Sequence, residues 1–306
     1  MLPTALAVGV LVFLIAADAP STPLTLGTIQ AGAAAVGAVG VIIIFAVSAA
    51  VAISLQPLQF RLVQLLEGYW PAWFPLWIAR VGVRLEMCRR DRVSSRLQST
   101  RRPTSEAAAI TGRERKQAAE TQLRQRFPAD DRLLPTALGN ALRAAEDSVG
   151  KRYGLESVVM WPRLFQVLPE RVRAGVDDEV TQLDVSVRLA VTWTAAGVAS
   201  SFLLLRDWSS LATYPLWVLV PVGIFVLARL AYQSAVESAI AHGGDLEVAV
   251  DLYRARVIDA MRLRPTTSLQ QEIDVFGELT ELFQSTSPSE LDLNFDPKAR
   301  AGGPAD

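Results

Sequence analysis

Residues 31–55 read AGAAAVGAVGVIIIFAVSAAVAISL, twenty-five residues without a charge. Ser48 and Ser54 are the only hydroxyls in the run. Hydrocarbon accepts such a stretch readily, because about 20 mainly apolar residues in a helix cross it. Inside lipid every backbone amide must be satisfied within the segment, so the run is expected to be α-helix. This feature points to an integral membrane protein built from helices.

Three further stretches compete as spans. Residues 212–228, ATYPLWVLVPVGIFVLA, are equally uncharged and end at Arg229. Pro221 is expected to kink them. Residues 189–205, LAVTWTAAGVASSFLLL, have Arg188 and Arg206 at their ends. Arginine side chains reach from such positions to the headgroups. Residues 2–17, LPTALAVGVLVFLIAA, are short for a span. They read as a retained span or as a cleaved signal peptide, since Ala17-Asp18-Ala19 resembles a small-x-small cleavage site. The missing positive n-region favours the retained span. The mean hydropathy of +0.27 at 20% charged residues agrees with apolar side chains gathered into a few long runs.

Arginine sets the orientation. The loop at 18–29 has no Arg or Lys and the loop at 206–211 has only Arg206, whereas residues 61–126 hold fourteen. The central segment is therefore expected in the cytoplasm, with both termini on the same side. The expected fold is all-α, with four transmembrane helices, two N-terminal and two central, around a helical cytoplasmic portion. Its parts are a transmembrane hairpin at 1–56, an interfacial aromatic and Arg segment at 57–98, and a cytoplasmic helical region at 99–187. A second hairpin follows at 188–232, then cytoplasmic helices at 233–284 and a disordered tail at 285–306. Only Lys116, Lys151 and Lys298 are lysine, which with abundant Ala and Gly points to a GC-rich bacterial genome and a bacterial plasma membrane.

Tyr69, Trp70, Trp73, Phe74 and Trp77 crowd nine positions and precede Arg80 and Arg84. Aromatic rings favour the headgroup level and arginine is drawn to anionic lipid. Tyr69, Trp70, Trp73, Trp77, Arg80 and Arg84 are therefore candidate lipid-interface residues. The other reading is an aromatic patch packed against the cytoplasmic domain.

Residues 99–130 form a solvated helix or a partly disordered linker. Leu138, Leu142, Ala145 and Val149 recur at helical spacing, and Gly154 stops that helix. Val158, Val159, Trp161, Leu164, Phe165 and Leu168 form an apolar patch divided by Pro162 and Pro169. From Glu170 one helix is expected to run through Arg188 into the third span. Beyond the fourth span the helix continues to about Ala241, where Gly243-Gly244 permits a break. Leu246, Val250, Tyr253, Val257 and Met261 share one helical face, which Pro265 ends. Ser268 with Gln271 resembles a capping box, followed by the stripe Leu269, Ile273, Phe276, Leu279 and Phe283. These stripes are expected to pack on the 131–187 region.

Motifs for chemistry fail one after another. The only Gly-Lys, Gly150-Lys151, lacks both the leading Gly and the following Ser/Thr of a P-loop. No G-x-G-x-x-G, H-E-x-x-H or G-x-S-x-G occurs. One Cys, Cys88, and one His, His242, cannot make a Cys/His zinc site. Cys88 reads as a small interfacial residue and His242 as a polar residue at a helix end. The acids Asp177, Asp178, Glu179 and Asp184 are expected to pair with the Arg-rich segment; a divalent cation is the other use for them. Net charge of −1 draws in no nucleic acid. No cofactor, metal or small-molecule substrate is implied.

Three stretches carry a resemblance: QLLEGYWP near residue 64, LLPTALGNALRAAED near 133 and DLYRARVIDAMRL near 251. Together they resemble uncharacterised multi-pass integral-membrane proteins of actinobacteria over most of residues 56–284. The resemblance implies topology and origin, and no activity. The arrangement of two and two spans is also similar in outline to bacterial bestrophin-type channels, without that family's characteristic residues.

The leading expectation is a membrane-anchored, non-enzymatic interaction or sensing protein. Its partners are the lipid bilayer and either another protein or a second copy. A second expectation is an oligomeric channel with Thr192, Thr194, Ser200 and Ser201 lining a pore. A third is a membrane enzyme using the acidic cluster and His242.

Overall fold

A computed structural model of the chain describes residues 2–71, 74–98, 106–285, 293 and 295. The protein is all-helical, with 83% helix and no strand among the described residues. The chain forms two units. One comprises Met1–Tyr69 with Gln182–Glu237, and the other Trp70–Thr181 with Ser238–Asp306.

The first unit holds α1 (Leu2–Ala16), α2 (Leu26–Leu55), α3 (Gln59–Glu67) and α9 (Trp208–Thr213). It also holds the later part of α8 (Glu170–Leu205) and the first part of α10 (Leu219–Ala260). The expected continuous helix from Glu170 into the apolar stretch is α8.

Helix α2 starts before its apolar run because Thr25 caps it. The Thr25 hydroxyl accepts from Thr28 N at 3.2 Å and the Thr28 hydroxyl accepts from Thr25 N at 2.8 Å, closing a capping box. Gly37, at φ 56° and ψ −175°, kinks the helix; residues with a Cβ avoid that conformation. The helix is almost bare of its own chain: 6% of its most apolar window is buried. Val39 is 71% and Ile42 67% exposed.

Three helices are long and apolar enough to cross a membrane: α2, α8 and the helical run Pro215–Ala260. The expected fourth, at 2–17, falls short. Its 15 residues rise about 22 Å against about 30 Å of hydrocarbon. Helix α1 instead packs one side into its unit and leaves Leu6 and Ile15 exposed. Leu14 and Ala17 are buried among Leu204, Leu211 and Trp217, and Ala7 packs with Ala196 and Ile224. Fully buried Trp217 donates its indole N–H to the Thr22 carbonyl at 2.7 Å.

The expected single span 212–228 is also interrupted. α9 ends at Thr213, a 3-10 turn covers Pro215–Val218, and α10 starts at Leu219. Pro221 therefore lies in the first turn of α10 and kinks nothing. A missing N–H is tolerated there because first-turn amides have no partner within the helix.

The second unit contains α4 (Leu76–Leu97), α5 (Glu106–Arg126), α6 (Ala137–Tyr153), α7 (Ser157–Val167) and α11 (Leu269–Gln284), with the start of α8 and the end of α10. Its core joins the stripes read from the sequence. Val149 and Tyr153 of α6 and Met160 and Leu164 of α7 meet Leu246, Val250 and Val257 of α10 and Phe276 and Leu279 of α11. Thr136 caps α6 by accepting from Gly139 N, and Gly154 ends it in the left-handed conformation. Ser268 caps α11 through Gln271 N at 3.3 Å, while the Gln271 side chain accepts from Thr267 N rather than from Ser268.

Two expected breaks do not occur. Pro162 sits inside α7, and Val158, whose carbonyl loses its helical bond to that proline, is on the exposed side. Gly243-Gly244 does not end α10, which runs on to Ala260. A Cβ on Gly243 would stand 2.6 Å from the Ala145 Cβ of α6, so this glycine serves close helix approach. Gly243→Val is expected to destabilise the second unit by about 1–3 kcal/mol through overpacking. Hydrogen exchange of α6 and α10 amides in the detergent-solubilised protein measures the loss, and adding Ala145→Gly should recover part of it.

Candidate membrane-interface surface

Helix α4 carries the largest part of the candidate lipid-interface set. Successive residues turn by about 100°, so Gly82, Glu86 and Val93 share one side. Glu86 and Val93 are buried. A Cβ on Gly82 would meet the Pro135 carbonyl oxygen at 2.6 Å, which seats this side of α4 directly on the segment before α6. Buried Glu86 is paired with Arg89 one turn on, as a buried charge requires.

Pro135 is itself held by a residue the sequence reading passed over. Asn140 of α6 is fully buried. Its side-chain oxygen accepts from Leu134 N at 2.7 Å and its amide donates to Leu134 O at 3.0 Å. Asp147, a further two turns along α6, accepts from Ala129 N at 3.2 Å and from Arg132. The polar side of α6 thus clamps residues 129–134 and places the seat of α4. The available signal was an Asn inside an otherwise apolar α6 face, next to Leu138 and Ala141.

The opposite side of α4 faces outward. Leu76 is 68% and Trp77 66% exposed, and Val81, Leu85 and Met87 are exposed with them. Arg80, Arg84 and Arg92 lie among these residues and are exposed. None of the three side chains forms an ion pair or hydrogen bond among the described residues. Cys88 lies on the same side and is a free, exposed thiol.

Of the six candidate interface residues, Trp77, Arg80 and Arg84 are brought together. Trp70 is half-buried, its ring 4.5 Å from that of Phe74 four residues on. Tyr69 is exposed and belongs to the first unit. Trp73 lies outside the described residues. Leu76, Val81, Leu85 and Arg92 were missed, although Trp77, Val81 and Leu85 follow the i, i+4, i+8 spacing of one helical face.

The candidate pore hydroxyls do not share a surface. Thr192 and Thr194 point about 200° apart on α8. Ser200 is fully buried, and Thr194 is exposed. Thr194 donates to Ala190 O, and Ser200 and Ser201 both donate to Gly197 O, so these three are taken up by their own helix.

The expected pairing of the α8 acids with the Arg-rich segment is not seen among the described residues. Among the described residues Asp177, Asp178, Glu179 and Asp184 have no ion pair, and no group of three His, Cys, Asp or Glu is placed to hold a metal ion. Asp177 and Asp178 are exposed, so water solvates them instead. The charge pairs of the second unit lie elsewhere. Arg152 reaches Glu247 at 2.5 Å and Asp251 at 3.0 Å, Tyr153 donates to Asp251 at 2.6 Å, and Arg254 pairs with Glu272. Burial and the hydrogen bond to Asp251 raise the Tyr153 phenol above its usual value.

His242 stands in the middle of α10 and not at a helix end, because Gly243-Gly244 does not break the helix. Its ring meets Trp161 edge-on with centroids 6.3 Å apart. Its Nδ1 is buried and has no hydrogen-bond partner among the described residues. Burial lowers its pKa below the ordinary 6.5, opposed by the charges of Asp245 and Glu179.

Asn140→Ala would strand the buried Leu134 N–H and C=O. A loss of about 2–4 kcal/mol in the second unit is expected, read from the denaturant midpoint of the solubilised protein. For His242 the unfolded chain takes up a proton before the folded one. Stability is therefore retained above pH 6.5 and falls as the pH drops through that value. Melting curves between about pH 7.5 and pH 5 should show this fall in the native protein and lose it in His242→Phe.

No family model, curated protein or solved structure matches the chain.

Proposed function

We propose that this chain is a membrane-anchored, non-enzymatic interaction or sensing protein of a bacterial plasma membrane. The observation that carries the reading is the bare apolar surface of α2. Leaving a Val, Ile or Phe side chain in water forgoes about 1.5–3 kcal/mol each relative to burial. α2 exposes Val39, Ile42, Ile43, Phe45, Val51 and Ile53. Hydrocarbon removes that penalty and water does not.

In this reading α2, α8 and the run into α10 cross the bilayer, and α1 remains with them as a short fourth apolar helix packed at partial depth. The fourteen Arg and Lys of residues 61–126 hold the second unit, and with it the C-terminal part of the chain, on the cytoplasmic side; three crossings then put the start of α2, and α1 before it, toward the outer leaflet. The second unit is then a helical module at the inner leaflet. Its interior is filled by Leu164, Val250, Phe276 and their neighbours, which leaves its outer faces to do the work. Contact with a protein partner, or a report on the state of the membrane, suits an exposed face better than a reaction cleft.

Fractionation and topology reporters test the anchor. The protein should stay with the membrane through alkaline extraction, and reporters fused near residues 98 and 150 should be active only in the cytoplasm. Ile43→Arg, at the middle of the bare surface, should cost about 2.5–3.5 kcal/mol of insertion and lower the membrane-bound fraction. Release by alkali, or a reporter at residue 150 found outside the cell, defeats the anchor. Measured turnover by the purified protein, with no partner recovered on co-purification, defeats the non-enzymatic reading.

A further inference from the structure

We infer that the outward face of α4 docks on an anionic lipid leaflet, acidic headgroups meeting Arg80, Arg84 and Arg92 while Trp77, Val81 and Leu85 enter the acyl boundary. This rests on the membrane-anchored reading above and adds the class of lipid and the helix that meets it.

Three observations converge on this occupant. The first is charge. Residues 76–97 hold six arginines against Glu86 and Asp91, and Glu86 is spent on Arg89 within the buried side. Arg80, Arg84 and Arg92, which have no ion pair among the described residues, are on the same side as the exposed apolar residues, the composition of a helix that lies in a headgroup plane. A second copy of this face would set arginine against arginine, so self-association through α4 is disfavoured.

The second observation is rigidity. Gly82 rests on Pro135, Asn140 grips Leu134, and Val93 is buried, so the inner side of α4 is already occupied. The helix cannot hide Leu76 and Trp77 by rolling over without losing that seat. The third is tethering. Only residues 56–75 separate the end of α2 from the start of α4, and nine of them are coiled into α3. Wherever α2 enters a bilayer, α4 stays within reach of its surface.

The sole cysteine supplies the probe. Cys88 is exposed on this face, so a polarity-sensitive fluorophore attached to it reports whether the face is in water or lipid. The full-length protein is reconstituted into vesicles of phosphatidylcholine alone or of phosphatidylcholine with phosphatidylglycerol, and flotation confirms incorporation. In the anionic vesicles the label should be blue-shifted and shielded from an aqueous quencher; in the neutral vesicles it should be quenched. High salt should return the anionic sample to the quenched state, without any substitution that alters folding. Each of Arg80→Gln, Arg84→Gln and Arg92→Gln should lower the ratio of immersed to water-exposed label about fivefold.

Equal shielding in both vesicle types, or shielding that survives the triple substitution, overturns the inference and points to a protein covering the face. Protein that floats with both vesicles while its label stays quenched also overturns it and leaves the membrane anchor standing. Protein that floats with neither removes the anchor itself and this inference with it.

Discussion

A helix satisfies its own backbone and leaves its side chains to find partners, and the side chains of α2 find almost none within their own chain. That is the constraint on which the rest of the protein depends. At about 25 cal/mol for each Å² of apolar surface, a helix this bare is costly in water and cheap in hydrocarbon. The kink at Gly37 does not relieve the exposure, since Val39, Ile42 and Phe45 beyond it stay uncovered.

The first unit reverses what length alone would suggest. Its shortest apolar helix, α1, buries one side, with Leu14 and Ala7, among Leu204, Trp217, Ala196 and Ile224, while Leu6 and Ile15 stay exposed. Its longest uncharged helix is the one left uncovered. Ala7 of α1 and Ala17 just beyond its end are small and buried, which lets neighbouring helices come close. The interruption before α10 has a similar basis. Tyr214 and the 3-10 turn at Pro215–Val218 bring Trp217 inward, where its indole N–H has the Thr22 carbonyl to satisfy it.

The second unit shows how an interior fixes an exterior. Its apolar core joins α6, α7, α10 and α11 in the familiar way, through stripes at helical spacing. The seat of α4 comes from a polar device: Asn140 satisfies both backbone groups of Leu134, and Pro135 then bears on Gly82. A buried amide with its oxygen and nitrogen both bonded is rigid, because any movement strands a donor and an acceptor together. That rigidity turns the arginines and apolar side chains of α4 outward as a single face.

Local periodicity and composition were enough to determine the all-helical class, three of the long apolar helices, the unbroken α8, the cap at Ser268 and the stop at Gly154. These follow from backbone hydrogen bonding and the 3.6-residue turn, which act over a few neighbours. The same rules misread Gly243-Gly244 and Pro162 as breaks. Whether a glycine ends a helix or admits a neighbour depends on what lies opposite, here Ala145, about a hundred positions away in sequence. Part of the α4 face was legible as clustered aromatics and arginines. Only the tertiary structure decided which residues share that face, that one side of α1 is buried while α2 is bare, and that Asp177 and Asp178 stay solvated while Arg152 takes Glu247 and Asp251. Burial and pairing are relations between distant segments, and a chain read one residue after another carries no distance between them.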